Sequence, residues 1–102
     1  MTELRNHTAL IEQWAKARGL DSADPTKQML KLAEEFGELA SGMAKGKDDV
    51  ISDSIGDMHV VMTILCLQLG ISFDDCVEQA YEEIKDRKGR MIDGVFVKEE
   101  DL

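Results

Sequence analysis

The sequence predicts an all-α fold: four helices followed by a short C-terminal β-hairpin, in a single domain spanning residues 1–102. Three observations support this prediction. Apolar residues recur at steps of three and four through most of the chain, which is the spacing of one helix face. Gly19, Asp24-Pro25 and Gly70 divide that pattern into helices. Asp93-Gly94 stands between two short apolar arms, which is a strong hairpin signal.

The first helix is predicted from Thr2 to Arg18, with Trp14 as its largest contribution to the core. The second runs from Pro25 to about Lys45, since Asp24 suits the N-cap and proline suits the first helical position. Its apolar residues repeat in steps of four and three and predict a buried stripe, widened by Leu32 and Leu39, whose other members are Met29, Ala33, Phe36, Ala40 and Met43.

The third helix is predicted to follow a turn at residues 45–49 and to run to Leu69. From Met58 onward it is apolar except for three polar residues, so we expect it to be buried nearly all round. A fourth helix begins after Ser72, which has the sequence of a capping box, and is expected to end at Lys88-Gly89. The hairpin is predicted over residues 91–97.

Composition narrows the classes of partner. A net charge of −9 argues against nucleic acid, whose phosphates need a basic surface, and against an anionic membrane. Residues 1–10 lack the apolar run of a signal peptide, and the apolar stretch of the third helix is about half the length that spans a bilayer. Cys66 and Cys76 are expected to be small core residues in a reducing cytoplasm.

Two acidic clusters stand on neighbouring predicted helices. The first contains Glu34, Glu35 and Glu38, and the second contains Asp53 and Asp57. Residues three or four apart share a helix face, so carboxylates pair within each cluster. A carboxylate on a helix as apolar as the third is costly unless it is paired or binds a cation. The pattern therefore predicts a divalent metal held between the two helices.

These motifs resemble the MazG-type nucleotide pyrophosphohydrolases, whose signature is E-E-x-x-E, a spacer and E-x-x-D. The resemblance implies a MazG-like helical bundle that binds Mg²⁺, with Mn²⁺ as a substitute, and assembles as a dimer or tetramer. It also implies hydrolysis of nucleoside triphosphates to monophosphate and pyrophosphate, which cleanses the nucleotide pool. By this resemblance Glu34 and Glu35 are catalytic, and Glu35, Glu38 and Asp57 are metal ligands. Asp53 is added as a fourth ligand because it shares a helix face with Asp57.

One position departs from the family's signature. Ser54 occupies the place of the first acid in E-x-x-D, while Asp53 lies one residue earlier and faces the same side as Asp57. Either Asp53 has taken over the ligand role or the site has lost a ligand. The first account is the one we favour.

The densest basic run of the chain contains Lys85, Arg87, Lys88 and Arg90. These residues suit a helix C-terminus, and the family places triphosphate contacts near this end of its last helix. Both interpretations stay open. A rival function is a non-catalytic helical oligomerisation or nucleotide-binding module that has lost activity. Four short helices cannot easily cover so apolar a third helix, so we expect a homo-oligomer, a tetramer in preference to a dimer, that associates through this helix and its neighbours.

Overall fold

A computed structural model describes residues 6–102 of the chain. The elements in chain order are α1 (His7–Ala17), a 3₁₀ turn (Leu20–Ser22), α2 (Pro25–Lys45), α3 (Asp48–Leu69), α4 (Phe73–Ile84), β1 (Gly89–Ile92), β2 (Val95–Lys98) and a 3₁₀ turn (Glu99–Asp101). The all-α fold with four helices and a C-terminal hairpin is confirmed. The predicted start of the first helix, at residues 2–5, lies outside the described residues.

The boundaries of α2 and α3 agree with the predicted ones because the end signals operate as expected. The Asp24 side chain accepts a hydrogen bond from Thr26 N at 2.9 Å, and Pro25 opens α2. Gly46 and Gly70 end the two helices in the left-handed region, with φ of 65° and 74°. A residue with a Cβ is strained there, so glycine sets both ends.

Helices α2 and α3 form a closely packed antiparallel pair. Near one end, Gln28 Nε2 donates to Val61 O at 3.3 Å. At the other end, a Cβ on Gly42 would lie 2.9 Å from Val50 Cγ1, so glycine allows the two backbones to approach. The buried apolar residues of α3, including Val61 and Ile64, form the core of the chain together with Ala15 of α1.

The predicted core stripe of α2 is correct for Leu32 and Leu39, which are half-buried, and wrong for its other members. Met29, Phe36 and Met43 are 51%, 62% and 65% exposed, respectively. The residues that face α3 are instead buried or half-buried, and they are Gln28, Leu32, Glu35, Leu39 and Gly42. Both sets repeat in steps of four and three, so periodicity does not distinguish them. The chain thus leaves one apolar stripe of α2 uncovered.

Most aromatic residues are exposed as well, and the prediction that Trp14 lies in the core is wrong. Trp14 is 48% exposed and Tyr81 is 58% exposed, whereas Phe73 is half-buried. The guanidinium of Arg18 lies 4.2 Å from the centroid of the Trp14 ring and covers one of its faces. Cys66 is buried as predicted, but Cys76 is exposed. The single chain has too little interior to enclose these side chains.

Helix α4 begins as predicted but ends four residues early. Ser72 Oγ accepts from Asp75 N at 3.3 Å, which confirms the cap. The helix ends at Ile84 because the chain then turns into β1, whose residue Gly89 already pairs with Lys98. Asp93 and Gly94, with φ of 50° and 81°, form the expected two-residue turn. No residue of α4 is buried within the described chain.

By length and composition alone, α3 meets the criterion for a membrane-spanning helix, and 28% of its most apolar window is buried. The core helix of a soluble protein meets the same criterion.

Candidate metal centre

Glu35 lies in the middle of the α2 face that packs on α3. Its helical neighbours Leu32 and Leu39 are half-buried beside it, so the backbone carries the carboxylate into the contact between the helices. The sequence placed Glu35 at the edge of an apolar stripe, and the structure places it at the centre of the buried face. Its Oε2 atom is buried and has no hydrogen-bond partner among the described residues.

Other carboxylates surround Glu35. Burial raises the pKa of Glu35, and the negative charges of Glu38, Asp57 and, least, Asp53 raise it further. Glu35 is therefore under the influence of the negative charge of three other acids, one from α2 and two from α3. Among residues 6–102, no cation forms a salt bridge with any of them.

This donor set suits a hard divalent cation. Mg²⁺ and Mn²⁺ prefer carboxylate oxygens, and a buried carboxylate atom without a partner is the kind of group that a metal satisfies. Within the described residues, no three acidic, histidine or cysteine side chains converge tightly enough to enclose an ion. Like charges repel when no cation separates them, so a loose arrangement is what electrostatics dictates for these side chains.

The remaining predicted acid, Glu34, lies apart from this cluster. Its side chain is exposed, and it is not among the carboxylates that raise the pKa of Glu35. Asp53 is also exposed, whereas Asp57 is half-buried. Glu38 is exposed as well, so the cluster has an inner part, Glu35 with Asp57, and two outer members, Glu38 and Asp53.

Ser54 has an unexpected position for a residue in the place of a family ligand. It is 1% exposed and is one of the largest fully buried side chains described. Asp53 and Asp57 share a face of α3, while Ser54 is turned by about 100° into the packed interior. A longer side chain at this position has little room, because helix contacts of this kind are close-packed.

The predicted substrate-binding residues lie elsewhere in the chain. Lys85, Arg87, Lys88 and Arg90 are all exposed, at the end of α4 and the start of β1. Lys85 Nζ pairs with Glu82 at 3.0 Å. Arg87 and Lys88 line an open cavity of about 630 Å³ whose other lining residues are Glu83, Asp86, Lys98, Glu99 and Glu100. Within the described chain, the structure does not bring these cations to the acidic cluster.

An apolar cavity beside the cluster escaped the sequence analysis. Its volume is about 390 Å³, and it lies between α1 and α3, where its lining residues are His7, Leu10, Ile11, Trp14 and Val60. Val60 follows Asp57 by one helical turn, so the cavity adjoins the acids. The apolar residues of α1 have the periodicity of a core helix, and nothing in that pattern shows that they line an open cavity.

His59 is a structural residue. Its Nε2 lies 2.9 Å from Thr8 Oγ1, and its ring meets Phe73 edge-on, with 4.9 Å between the centroids. Both contacts join α3 to its neighbours. This histidine stands two residues from Asp57 and holds the surrounding helices together.

Comparison with known families identifies the acidic helix pair. The model of the MazG nucleotide pyrophosphohydrolase domain matches residues 23–92, which include α2, α3, α4 and β1. The chain belongs to the MazG family. The match covers both acidic clusters and the basic run, so the family resemblance drawn from the motifs is confirmed.

A phage protein is similar to this MazG domain. It is described as an uncharacterized 18.2 kDa protein in the rep-hol intergenic region of Haemophilus phage HP1 (strain HP1c1). The two are 56% identical over 69 residues, which cover 67% of this chain and 42% of the phage protein. The chain therefore spans less than half the length of this relative. No solved structure matches it.

Proposed function

We propose that this protein is a nucleoside triphosphate pyrophosphohydrolase that depends on Mg²⁺. The substrate is cleaved between the α and β phosphates, and the products are a nucleoside monophosphate and pyrophosphate. The observation that supports this function best is the buried Glu35 oxygen without a partner, in a cluster of acids without a cation. We place the protein in the cytoplasm, where it would cleanse the nucleotide pool.

Glu35, Glu38, Asp53 and Asp57 would hold the metal, which supplies charge neutralisation for the phosphates and a template for the attack. Mn²⁺ would substitute for Mg²⁺. Glu34 and Glu35 have the task of orienting the attacking water and accepting its proton.

The cavity beside the acids is suited to the nucleobase. Leu10, Ile11 and Val60 offer apolar walls, and Trp14 offers an aromatic face at its entrance. Aromatic faces stack on bases of every kind. Val60, which lines the cavity, follows Asp57 by one helical turn. A nucleotide with its base in the cavity would therefore have its phosphates beside the cluster.

We further propose that the protein is a homo-oligomer that associates through the neighbours of α3 more than through α3 itself. From Met58 to Gln68, no residue of α3 is exposed in the described chain. The uncovered apolar surface lies instead on the outer stripe of α2 and on α4. An exposed apolar area of this extent is typical of an interface between subunits.

The experiment is a turnover panel. Ribo- and deoxynucleoside triphosphates are incubated with the protein and Mg²⁺, with Mn²⁺, or with a chelator, and monophosphate and pyrophosphate are measured by chromatography. We expect equal amounts of the two products with metal and none with chelator. The Glu35→Gln variant is the matched control, because it keeps the shape of the side chain and removes its charge.

A second candidate function is a nucleotide-binding module without activity. It is favoured by the buried serine in place of a family acid, at Ser54. Titration of the protein with Mn²⁺ and nucleotide separates the two candidates. Binding without turnover across the whole panel would establish the module and contradict the enzyme, while the absence of metal binding would contradict the proposed metal centre.

A further inference from the structure

The two cysteines of the chain stand on either side of the turn that joins α3 to α4. Cys66 lies near the end of α3 and is buried, whereas Cys76 lies near the start of α4 and is exposed. The function proposed above uses neither of them. The hydrogen bonds of the turn fix the positions of both.

The end of α3 is a Schellman motif. Gly70 has a φ of 74°, and its N–H donates to Leu67 O at 3.1 Å. The N–H of Ile71 donates to Cys66 O at 2.9 Å. An apolar contact between the residues in these last two positions accompanies the motif in many proteins, so the end of α3 places Ile71 beside Cys66.

The start of α4 uses the same isoleucine. Ser72 is the N-cap, whose Oγ accepts from Asp75 N at 3.3 Å, and Cys76 N donates to Ser72 O at 3.1 Å. Ile71 therefore precedes the cap and Cys76 is the fourth residue of the helix, which are the two positions of a hydrophobic staple. Ile71 thus adjoins Cys66 at the end of one helix and Cys76 at the start of the next.

The two thiols are therefore neighbours across the turn. Burial raises the pKa of the Cys66 thiol, and Cys76 raises it further, both as a charge and as a hydrogen-bond partner. The effect of Cys76 requires that the two side chains lie near each other. Ile71 is 47% exposed, so small molecules reach the turn, where Cys76 is itself exposed.

We propose that Cys66 and Cys76 form a peroxide-sensitive pair, which oxidation joins in a disulfide between α3 and α4. The oxidant is a small hydroperoxide, in the simplest case hydrogen peroxide. The exposed Cys76 reacts first, because the oxidation of thiols follows their exposure. Its thiolate attacks one peroxide oxygen, so that an S–O bond forms, the O–O bond breaks and the other oxygen leaves as water after it takes up a proton.

Cys66 is the resolving cysteine. Its sulfur attacks the Cys76 sulfur, so that the S–S bond forms and the S–O bond breaks, and the hydroxide that leaves takes the Cys66 proton and becomes water. The two thiols lose two electrons and one molecule of hydrogen peroxide gains them, with two molecules of water as products. Burial protects Cys66 from direct attack by the oxidant, which sets the order of the two steps.

The disulfide would fasten the start of α4 to α3. In the reduced chain the Phe73 ring already meets the His59 ring edge-on, but no residue of α4 is buried within the described chain. A bond between Cys66 and Cys76 closes a short loop and removes conformations of the unfolded chain. It should therefore raise the Tm by roughly 5 °C or more and slow hydrogen exchange at the start of α4.

Oxidation of the whole chain tests this proposal. Reduced protein is treated with hydrogen peroxide, the remaining thiols are alkylated, and peptide mass mapping separates the cysteines from the methionines that peroxide also oxidises. We expect both thiols to be lost together, with a linked peptide pair that contains Cys66 and Cys76. Non-reducing gels should show no cross-link between chains, and dithiothreitol should restore both thiols. Thermal scans and hydrogen exchange then compare the oxidised and the reduced protein.

Substitutions separate the roles of the two thiols. Cys66→Ala, which keeps a small apolar side chain at the buried position, should leave Cys76 to accumulate a sulfenic acid that dimedone traps. Cys76→Ser should keep Cys66 reduced as long as the protein is folded. The matched control is Cys76→Ser combined with Val77→Cys, because Val77 is 51% exposed but is turned by about 100° from position 76. This control should not form the internal disulfide.

Linked Cys66 and Cys76 in the wild type, with both thiols still free in the matched control, would establish the pair. Thiols that survive peroxide, or a disulfide that only joins two chains, would overturn the proposal. Equal internal cross-linking in the control would also overturn it, since the turn would then not determine which thiols meet. A linked form with unchanged Tm and unchanged exchange would show that the bond does not fasten α4. No outcome depends on turnover, so the proposed function is tested separately.

Discussion

The α2–α3 pair and the arm formed by α4 and the hairpin use apolar sequence in opposite ways. In the pair, half-buried leucines and Gly42 bring two helices into close contact, and the chain itself encloses the residues between them. In the arm, a strongly amphipathic helix has no buried residue within the described chain. The first region is completed by contacts within the chain, whereas the second leaves its apolar face uncovered in one chain.

The two regions also differ in charge. The pair holds an acidic cluster around Glu35, with a buried carboxylate oxygen that lacks a partner. The arm carries the basic run, whose side chains are all exposed: Lys85, Arg87, Lys88 and Arg90. Opposite charges that lie apart in one chain are costly only if nothing else neutralises them. In the proposed reaction, the metal would neutralise the acids and the triphosphate would neutralise the cations. The predictions below test each region against the other.

The largest effect is expected from the inner acids. Asp57→Asn should lower turnover at least about a hundredfold, because it removes a charged ligand from the middle of the proposed centre. Steady-state kinetics with saturating Mg²⁺ measures the loss. Asp48→Asn, at the start of the same helix, is the control and should change turnover little. If the two variants were equally active, Asp57 would have no place in the metal centre.

The arm should respond through assembly. Tyr81→Ser combined with Ile84→Ser removes apolar area from α4 without touching the acids, so the oligomer should dissociate into smaller species in sedimentation velocity runs at micromolar concentration. Activity should fall with it, about tenfold or more. Glu78→Gln on the polar side of the same helix is the control. A wild-type protein that sediments as a compact monomer would contradict the proposed interface.

Some features of the fold could be predicted from the sequence, and others could not. The helix ends could be predicted because Asp24, Gly46 and Gly70 act through local backbone chemistry. The place of Glu35 near the contact with α3 could also be predicted, since helical spacing puts it beside Leu32 and Leu39. The close convergence of Glu35, Glu38 and Asp57 stays a prediction. The exposure of Met29, Phe36 and Met43 could not be predicted. Apolar periodicity indicates that a helix has an apolar face, but it does not show whether the same chain buries that face.

Asp53 and Ser54 give a smaller and more diagnostic effect. If Asp53 replaces the missing family acid, Asp53→Ala should lower activity roughly tenfold to a hundredfold. Ser54→Glu should then help little or crowd the contact, since Ser54 is 1% exposed. Asp48→Ala serves as the control for the loss of a helix N-terminal acid. Wild-type activity in Asp53→Ala, with tighter metal binding by Ser54→Glu, would reverse the assignment.

Two glycines of α2 test the packing of the pair directly. Gly42→Ala should destabilise the protein by about 1–3 kcal/mol, because the new methyl group meets Val50 Cγ1 at 2.9 Å. Gly37→Ala has nothing within 4 Å and should stabilise the helix by about 0.5–1 kcal/mol. Urea unfolding measures both changes. Equal effects of the two substitutions would show that α2 and α3 are not closely packed at Gly42.

The smallest expected effect is the pH dependence of the metal-free protein, and its sign follows from Glu35. Its pKa in the folded chain is raised above the ordinary 4.5, first by burial and then by Glu38 and Asp57. The folded state therefore binds this proton more tightly than the unfolded state. At a pH above the folded pKa, the ionised Glu35 destabilises the fold. This destabilisation is relieved as pH falls through the folded pKa, and it is absent below 4.5.

Mild acidification should thus raise the Tm of the metal-free protein by a few degrees, until the protonation of other acids opposes it. In Glu35→Gln the neutral side chain should raise the Tm at pH 7 and remove this part of the pH dependence. Mg²⁺ should stabilise the wild type near neutral pH and do so less in the variant, because the ion binds the ionised carboxylate. Thermal scans from pH 5 to pH 8 with and without Mg²⁺ measure both. A large loss of metal-free stability in Glu35→Gln would instead show that the ionised carboxylate has a structural partner, and that α2 and α3 are held together by it.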